Sequence, residues 1–238
     1  MSLPEIKHPI FKLTVPSTKK SISYRPYTVK EEKLLLTVRM SDDLEEVIET
    51  LKQVINNCVL DDINVDKLAM FDIEYIFINL RKVSVSNEVE MYITHEEKRV
   101  PFTLDLDKVQ VVFKPDHTNV IQINDDLGIK MKYPNMNQML KLEEIYAEPE
   151  YDAKKVDEYL FNIFISCIDN IFDSRKVYNE FSKEELETFV LSLPVENNKK
   201  ILEFFRTRPT LEHTVNVELP DGTMKEAKLS GLRDFFTF

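Results

Sequence analysis

Four histidines, two cysteines and 42 acidic side chains are the groups of this chain that could hold a metal or move a proton. His8, His95, His117 and His213 stand alone, none with a second imidazole four residues on, the spacing that aims two rings at one zinc ion from a helix. Each is expected as a solvated or singly hydrogen-bonded ring, and His213, opening the last hairpin, has the best functional prospects. In LDLDK, Asp105 and Asp107 fall on one strand face, and Asn124–Asp126 lacks the alternate ligands, central glycine and closing glutamate of a calcium loop. Both stretches read as solvated charge. Cys58 and Cys167 lie far apart, without CxxC spacing and on apolar helix stripes, so buried, reduced thiols fit better than a disulfide, and a zinc knuckle is excluded. The only glycines are Gly128, Gly222 and Gly231, too scattered for a phosphate-cradling loop or a nucleophile elbow. There is no GxSxG, no serine beside a credible base and no distinguished carboxylate pair. The expectation is a protein that is not an enzyme, with no cofactor, no metal and no small-molecule substrate.

Charge set among apolar residues points to a different use. In FDIEYIFINLRKVSV, Phe71 to Val85, a helical pitch groups Ile73, Phe77 and Leu80 toward the core and Asp72, Tyr75, Asn79 and Lys82 toward solvent. Glu74 and Arg81 fall nearly in register, flanked by Phe77 and Ile78 and ~10 Å apart along the axis, too far for a compact pair. Each then needs its own partner, because a charge desolvated among apolar neighbours is costly unless matched. That partner is either another helix of this chain or another protein. YRPY sets Arg25 beside Tyr24 and Tyr27 on backbone that proline holds extended, with tyrosine and arginine the favoured anchors of protein interfaces. Tyr24, Arg25, Tyr27, Glu74 and Arg81, with Phe235 and Phe236 at the closing helix, are the candidate interface residues.

The elements that must position them follow from periodicity. FKLTV and SISYRPY read as a hairpin of two strands. Thr28 and Glu31 have capping-box spacing ahead of a helix to about Met40. Ser41 to Asp43 restart a helix carrying the stripe Leu44, Ile48, Leu51, Ile55 and Cys58, and the Phe71 helix is the third. From Val85 the period becomes two, with strands in 88–94 and 102–107, Val109–Phe113, Val120–Ile123 and Gly128–Tyr133. A long helix behind Asp152 with a stripe from Val156 to Ile171, a second capping box at Ser182 and Glu185, and a helix opening at Pro194 come next. A hairpin turning at Pro220-Asp221-Gly222 and the short helix GLRDFF close the chain. The fold class expected is α+β, a helical domain with N-terminal and C-terminal β-hairpins and a central antiparallel β meander. The segments are 1–85 (hairpin plus helices), 86–134 (antiparallel β) and 135–238 (helices, hairpin and short helix). A net charge of -11 and pI near 5.0 argue against nucleic acid. No apolar run approaches the ~20 residues of a membrane span, and MSLPEIKHPIFKL has no signal-peptide core.

PSTKKSISYRPYTVKEEKLLL, FDIEYIFINLRKVSV, LGIKMKYP and LSGLRDFF, in this order and spanning essentially the full length, resemble the signature stretches of the baseplate protein family of T-even-type contractile-tailed bacteriophages, which includes the baseplate hub subunit and the hub assembly catalyst. Where that family pattern often has glycine after the aromatic helix and in the first turn, this chain has Ser86 and Lys19 or Lys20. Some relatives carry cysteine pairs near the terminal hairpin; here Pro220 to Thr223 stand there, so metal binding does not carry over. The resemblance implies a chaperone- or scaffold-type factor that binds hub subunits during baseplate assembly in the cytoplasm of the infected host. The alternative it implies is a structural hub component retained in the virion's tail baseplate. The implied partners are baseplate hub proteins, with self-association compatible, and neither nucleic acid nor membrane.

Overall fold

Alternating side chains and a polar turn make the N-terminal hairpin of β1 (Phe11–Thr14) and β2 (Ser21–Tyr24), antiparallel with Phe11 opposite Tyr24. The computed structural model describes residues 4, 6–39, 41, 43–147 and 153–235. In the hairpin's turn Lys19 takes a φ of 59°, the left-handed region that favours glycine. Thr28 and Glu31 close the expected capping box at the start of α1 (Val29–Val38). Asp43 caps α2 (Leu44–Cys58) by accepting from the backbone N–H of Glu45 and Glu46. On α2 the stripe of Ile48, Leu51, Val54, Ile55 and Cys58 is fully buried. α3 (Met70–Ser84) follows a short 3-10 turn at Val65–Lys67.

The chain divides into two compact units, Met1–Val112 with Thr210–Phe238, and Phe113–Pro209. In the first, β3 (Glu88–His95) and β4 (Lys98–Asp105) form a hairpin whose two turn residues, Glu96 and Glu97, both have positive φ, 46° and 65°. β5 (Gln110–Val112) lies on the edge of a three-stranded sheet made with β10 (Thr210–Glu218) and β11 (Met224–Ser230), in the order β11-β10-β5. Ile78 of α3 packs with Val89, Leu104, Leu106, Leu211 and Phe235 in the core beneath these strands. The helix closing this unit, Gly231–Phe235, is α8.

In the second unit, β6 (Val120–Gln122), β7 (Gly128–Met131), β8 (Ile168–Phe172) and β9 (Val177–Tyr178) form one antiparallel sheet in that order. Around it stand α4 (Met136–Ala147), α5 (Ala153–Ser166), α6 (Lys183–Leu191) and α7 (Val195–Thr207). Ile129, Ile163, Phe164, Cys167, Ile168, Ile201 and Phe204 share its core.

The class is α+β with hairpins toward both ends, and among the described residues every strand pair is antiparallel. The central strands, however, do not pair only among themselves, as a meander would: β5 joins β10 and β7 joins β8. The long stripe after Val156 is also broken. α5 ends at Ser166, and Ile168–Phe172 is strand, because this apolar run fills the slot beside β7. α4 and β9 had no counterpart in the periodicity, and the Asp152 cap lies outside the described residues.

Candidate functional site

YRPY splits between inside and outside. Tyr24 is 4% exposed, bridges to Val59 and has its ring 5.9 Å from that of Phe11. Burial, and then the neighbouring Tyr75, push its phenol above the ordinary tyrosine range. Arg25 turns inward onto Glu31: Nη2 stands 3.2 Å from Oε1 and Nη1 3.4 Å from Oε2. The same guanidinium donates to the carbonyls of Pro26 and Asn57 at 2.8 and 2.9 Å. Glu31, with no exposed surface, also accepts from Thr28 N and Oγ1 at 2.8 and 2.7 Å. Burial opposes its ionisation, but the Arg25 and Thr28 hydrogen bonds outweigh it and hold the carboxyl at about 2.

Tyr27 is half-buried, and its backbone N–H donates to Ser84 Oγ at 2.9 Å, which ties the end of YRPY to α3. Its phenol meets Arg81. Burial raises the Tyr27 pKa, and the positive charge of the neighbouring Arg81 guanidinium pulls the other way. Between α1 and α3 this contact forms one wall of a cleft of about 210 Å³ lined by Tyr27, Glu32, Leu35, Leu36, Arg39, Arg81 and Val85. Arg39, Leu36 and Val85 are exposed, Arg81 half-buried. Among the described residues no carboxylate lies within ion-pair distance of Arg39 or Arg81. The structure therefore joins Tyr27 to Arg81 and adds Glu32, Leu36, Arg39 and Val85, which the sequence reading passed over. Their signal was available, since Glu32, Leu36 and Arg39 share one face of α1, as Arg81 and Val85 do on α3.

The remaining candidates lie elsewhere. Glu74 is 3% exposed and faces the start of α8, where a Cβ on Gly231 would stand 3.6 Å from its Oε1. It does not pair with Arg81. Phe235 is buried in the core with Ile78, and Phe236 lies outside the described residues. The expected solvent face of α3 is overturned at Asp72, which is fully buried and accepts from Ser17 N and Ala69 N at 2.9 and 3.2 Å and from the Ser17 hydroxyl. The first turn of α3 packs under the N-terminal hairpin's loop, and the carboxylate is what makes that contact polar.

Several of the groups with chemical potential are engaged within the chain. His117 is bonded at both nitrogens rather than one: Nδ1 lies 3.0 Å from Thr207 Oγ1 and Nε2 2.9 Å from Tyr133 Oη. Thr207 donates its proton to the Glu203 carbonyl at 2.6 Å, so its oxygen accepts from Nδ1–H, and neutral Nε2 accepts from the Tyr133 hydroxyl. Burial lowers the His117 pKa, against the pull of Asp116. His213 sits within β10, opposite Leu229. Asp105 and Asp107 do not share a strand face: the strand ends at Asp105, which caps a 3-10 turn by accepting from Asp107 N, while Asp107 pairs with Lys82. Cys58 and Cys167 are free thiols that burial raises to about 11 and about 12. Among the described residues no group of three or more His, Cys, Asp or Glu is placed to hold a metal ion, and no helix is long and apolar enough to cross a membrane.

A family model described as T4 bacteriophage base plate protein matches residues 8–237. No curated protein and no solved structure shows a significant match.

Proposed function

The chain belongs to the T4 bacteriophage base plate protein family, and from that premise we propose that it is a non-enzymatic assembly factor of the baseplate hub, a chaperone or scaffold that binds hub subunits in the cytoplasm of the infected host. The observation that carries this reading is the α1–α3 cleft. It combines exposed aliphatic surface, a half-buried arginine beside a tyrosine, and no arranged nucleophile and base among the described residues. Such a mixture suits gripping a protein better than transforming a substrate. Tyr27 and Arg81 are its central interface residues. Tyr24, Arg25, Glu74 and Phe235 support it from within by fixing the hairpin, α1, α3 and α8.

Retention in the finished tail is the competing reading, supported by the family's description as a base plate protein. Quantitative mass spectrometry of purified particles and of hub intermediates separates the two. The assembly factor is expected in intermediates and at far below stoichiometric amounts in particles; stoichiometric presence in particles would overturn it. Pull-down from infected cells is expected to recover hub proteins.

A further inference from the structure

We infer that the α1–α3 cleft is the receptor for an acidic side chain of a partner protein, an Asp or Glu received by Arg39 and Arg81 with aliphatic neighbours laid on Leu36 and Val85. This rests on the reading of the chain as a partner-binding protein and specifies the chemistry of what is bound.

Charge complementarity carries the inference. Elsewhere in the same unit several of the more buried cations find carboxylates: Arg25 with Glu31 at 3.2 Å, Lys52 with Asp66 at 3.0 Å, and Lys82 with Asp107. The chain as a whole has 42 acidic residues against 31 basic ones. Yet two guanidinium groups line a single cleft with no carboxylate in ion-pair range among the described residues, although Glu32 lines it too. Arg81 is half-buried and lines the cleft beside the neutral phenol of Tyr27. A partly desolvated guanidinium is poorly compensated by such a partner, and its planar fork of donors matches a carboxylate.

Size and surroundings select the occupant. At about 210 Å³ the cleft falls below the roughly 300–1,000 Å³ of small-molecule pockets, so it takes one or two side chains. Nucleic acid is disfavoured by the net charge of -11 and by Glu32 in the cleft, since a polyanion would meet repulsion both at long range and on contact. One carboxylate on an otherwise apolar segment avoids both penalties. It also covers Leu36 and Val85, which are 56% and 59% exposed.

The test uses the full-length chain with the photo-cross-linking residue p-benzoylphenylalanine at Leu36, produced during infection, with cross-linked residues mapped by mass spectrometry. The expected product is a single segment of another baseplate protein with Asp or Glu beside the cross-linked residue. Arg39→Glu with Arg81→Glu should lower its yield by at least about tenfold, the loss of one charge-assisted contact. Reversing the mapped acid to Arg should restore it. Arg39 is exposed, so Arg39→Glu alone carries the test if the double variant fails to fold. A mapped segment without a carboxylate, a yield indifferent to Arg39→Glu, a cross-link to a second copy of this chain, or no cross-link at all would each overturn the inference. The assembly-factor reading would survive these results if hub formation still required the chain. Hub formation proceeding normally without the chain would defeat that reading instead.

Discussion

Glu31 is a single carboxylate that closes the capping box of α1, receives the Thr28 hydroxyl and neutralises the inward-turned Arg25. Removing its partner strands a charge with no exposed surface. Arg25→Ala is therefore expected to lower stability by about 3 kcal/mol in urea unfolding. Because the folded carboxyl sits at about 2, below its ordinary 4.5, its contribution is complete above pH 4.5 and is lost as pH falls toward 2. Glu31→Gln should flatten that acid limb while lowering stability at neutral pH. His117 acts in a different window. Its folded pKa lies below the ordinary 6.5, through burial against Tyr133 and Phe204 and the nearby Lys114, with Asp116 opposing. The unfolded ring thus takes a proton first, so the contribution is present above pH 6.5 and declines as pH falls through the folded value. Unfolding free energies of His117→Gln between pH 7 and 5 should slope less than those of the parent. The sequence marked Glu31 as a cap and His117 as isolated. It could not show the Arg25 contact or the Thr207 and Tyr133 bonds, the latter closing loops of 90 and 16 residues.

Elements show where glycine scarcity costs the fold. His95 and Lys98 are paired, so Glu96 and Glu97 form a two-residue turn with both residues left-handed, a conformation for which Asn-Gly is favoured. Glu96→Asn with Glu97→Gly is expected to raise stability by about 1 kcal/mol, seen as a higher urea midpoint with unchanged slope. Gly128 shows the opposite case. It lies directly opposite Phe172 in the β7–β8 pair, and a Cβ there would collide with the phenyl ring. Gly128→Ala should cost about 1–3 kcal/mol by overpacking. Both capping boxes and the α2 stripe were legible because their signals are local and lie within one or two turns. The end of α5 was not. No glycine or proline separates Ser166 from Ile168, and an apolar run reads alike as buried helix or buried strand.

For the whole molecule, the decisive feature is that residues 113–209 form a unit with its own core, inserted between two strands that pair. Val112 and Thr210 are register partners in the β5–β10 ladder. A two-residue Asn-Gly loop from Val112 to Thr210 could therefore replace the second unit. The shortened protein is expected to unfold cooperatively, with native-like circular dichroism; loss of the cooperative transition would show that the first unit does not stand alone. If so, the α1–α3 cleft, built wholly from the first unit, should retain the photo-cross-link at Leu36.

By itself the sequence determined the α+β class, most helix starts, the buried thiols and, through four ordered stretches, the family, because these are properties of composition and short-range spacing. Only the tertiary structure decided which strands pair, that Arg25 faces inward while Arg81 faces a cleft, and that Arg39 belongs beside it. Those outcomes depend on contacts between residues tens of positions apart, where burial and partner geometry override the preferences of each local stretch.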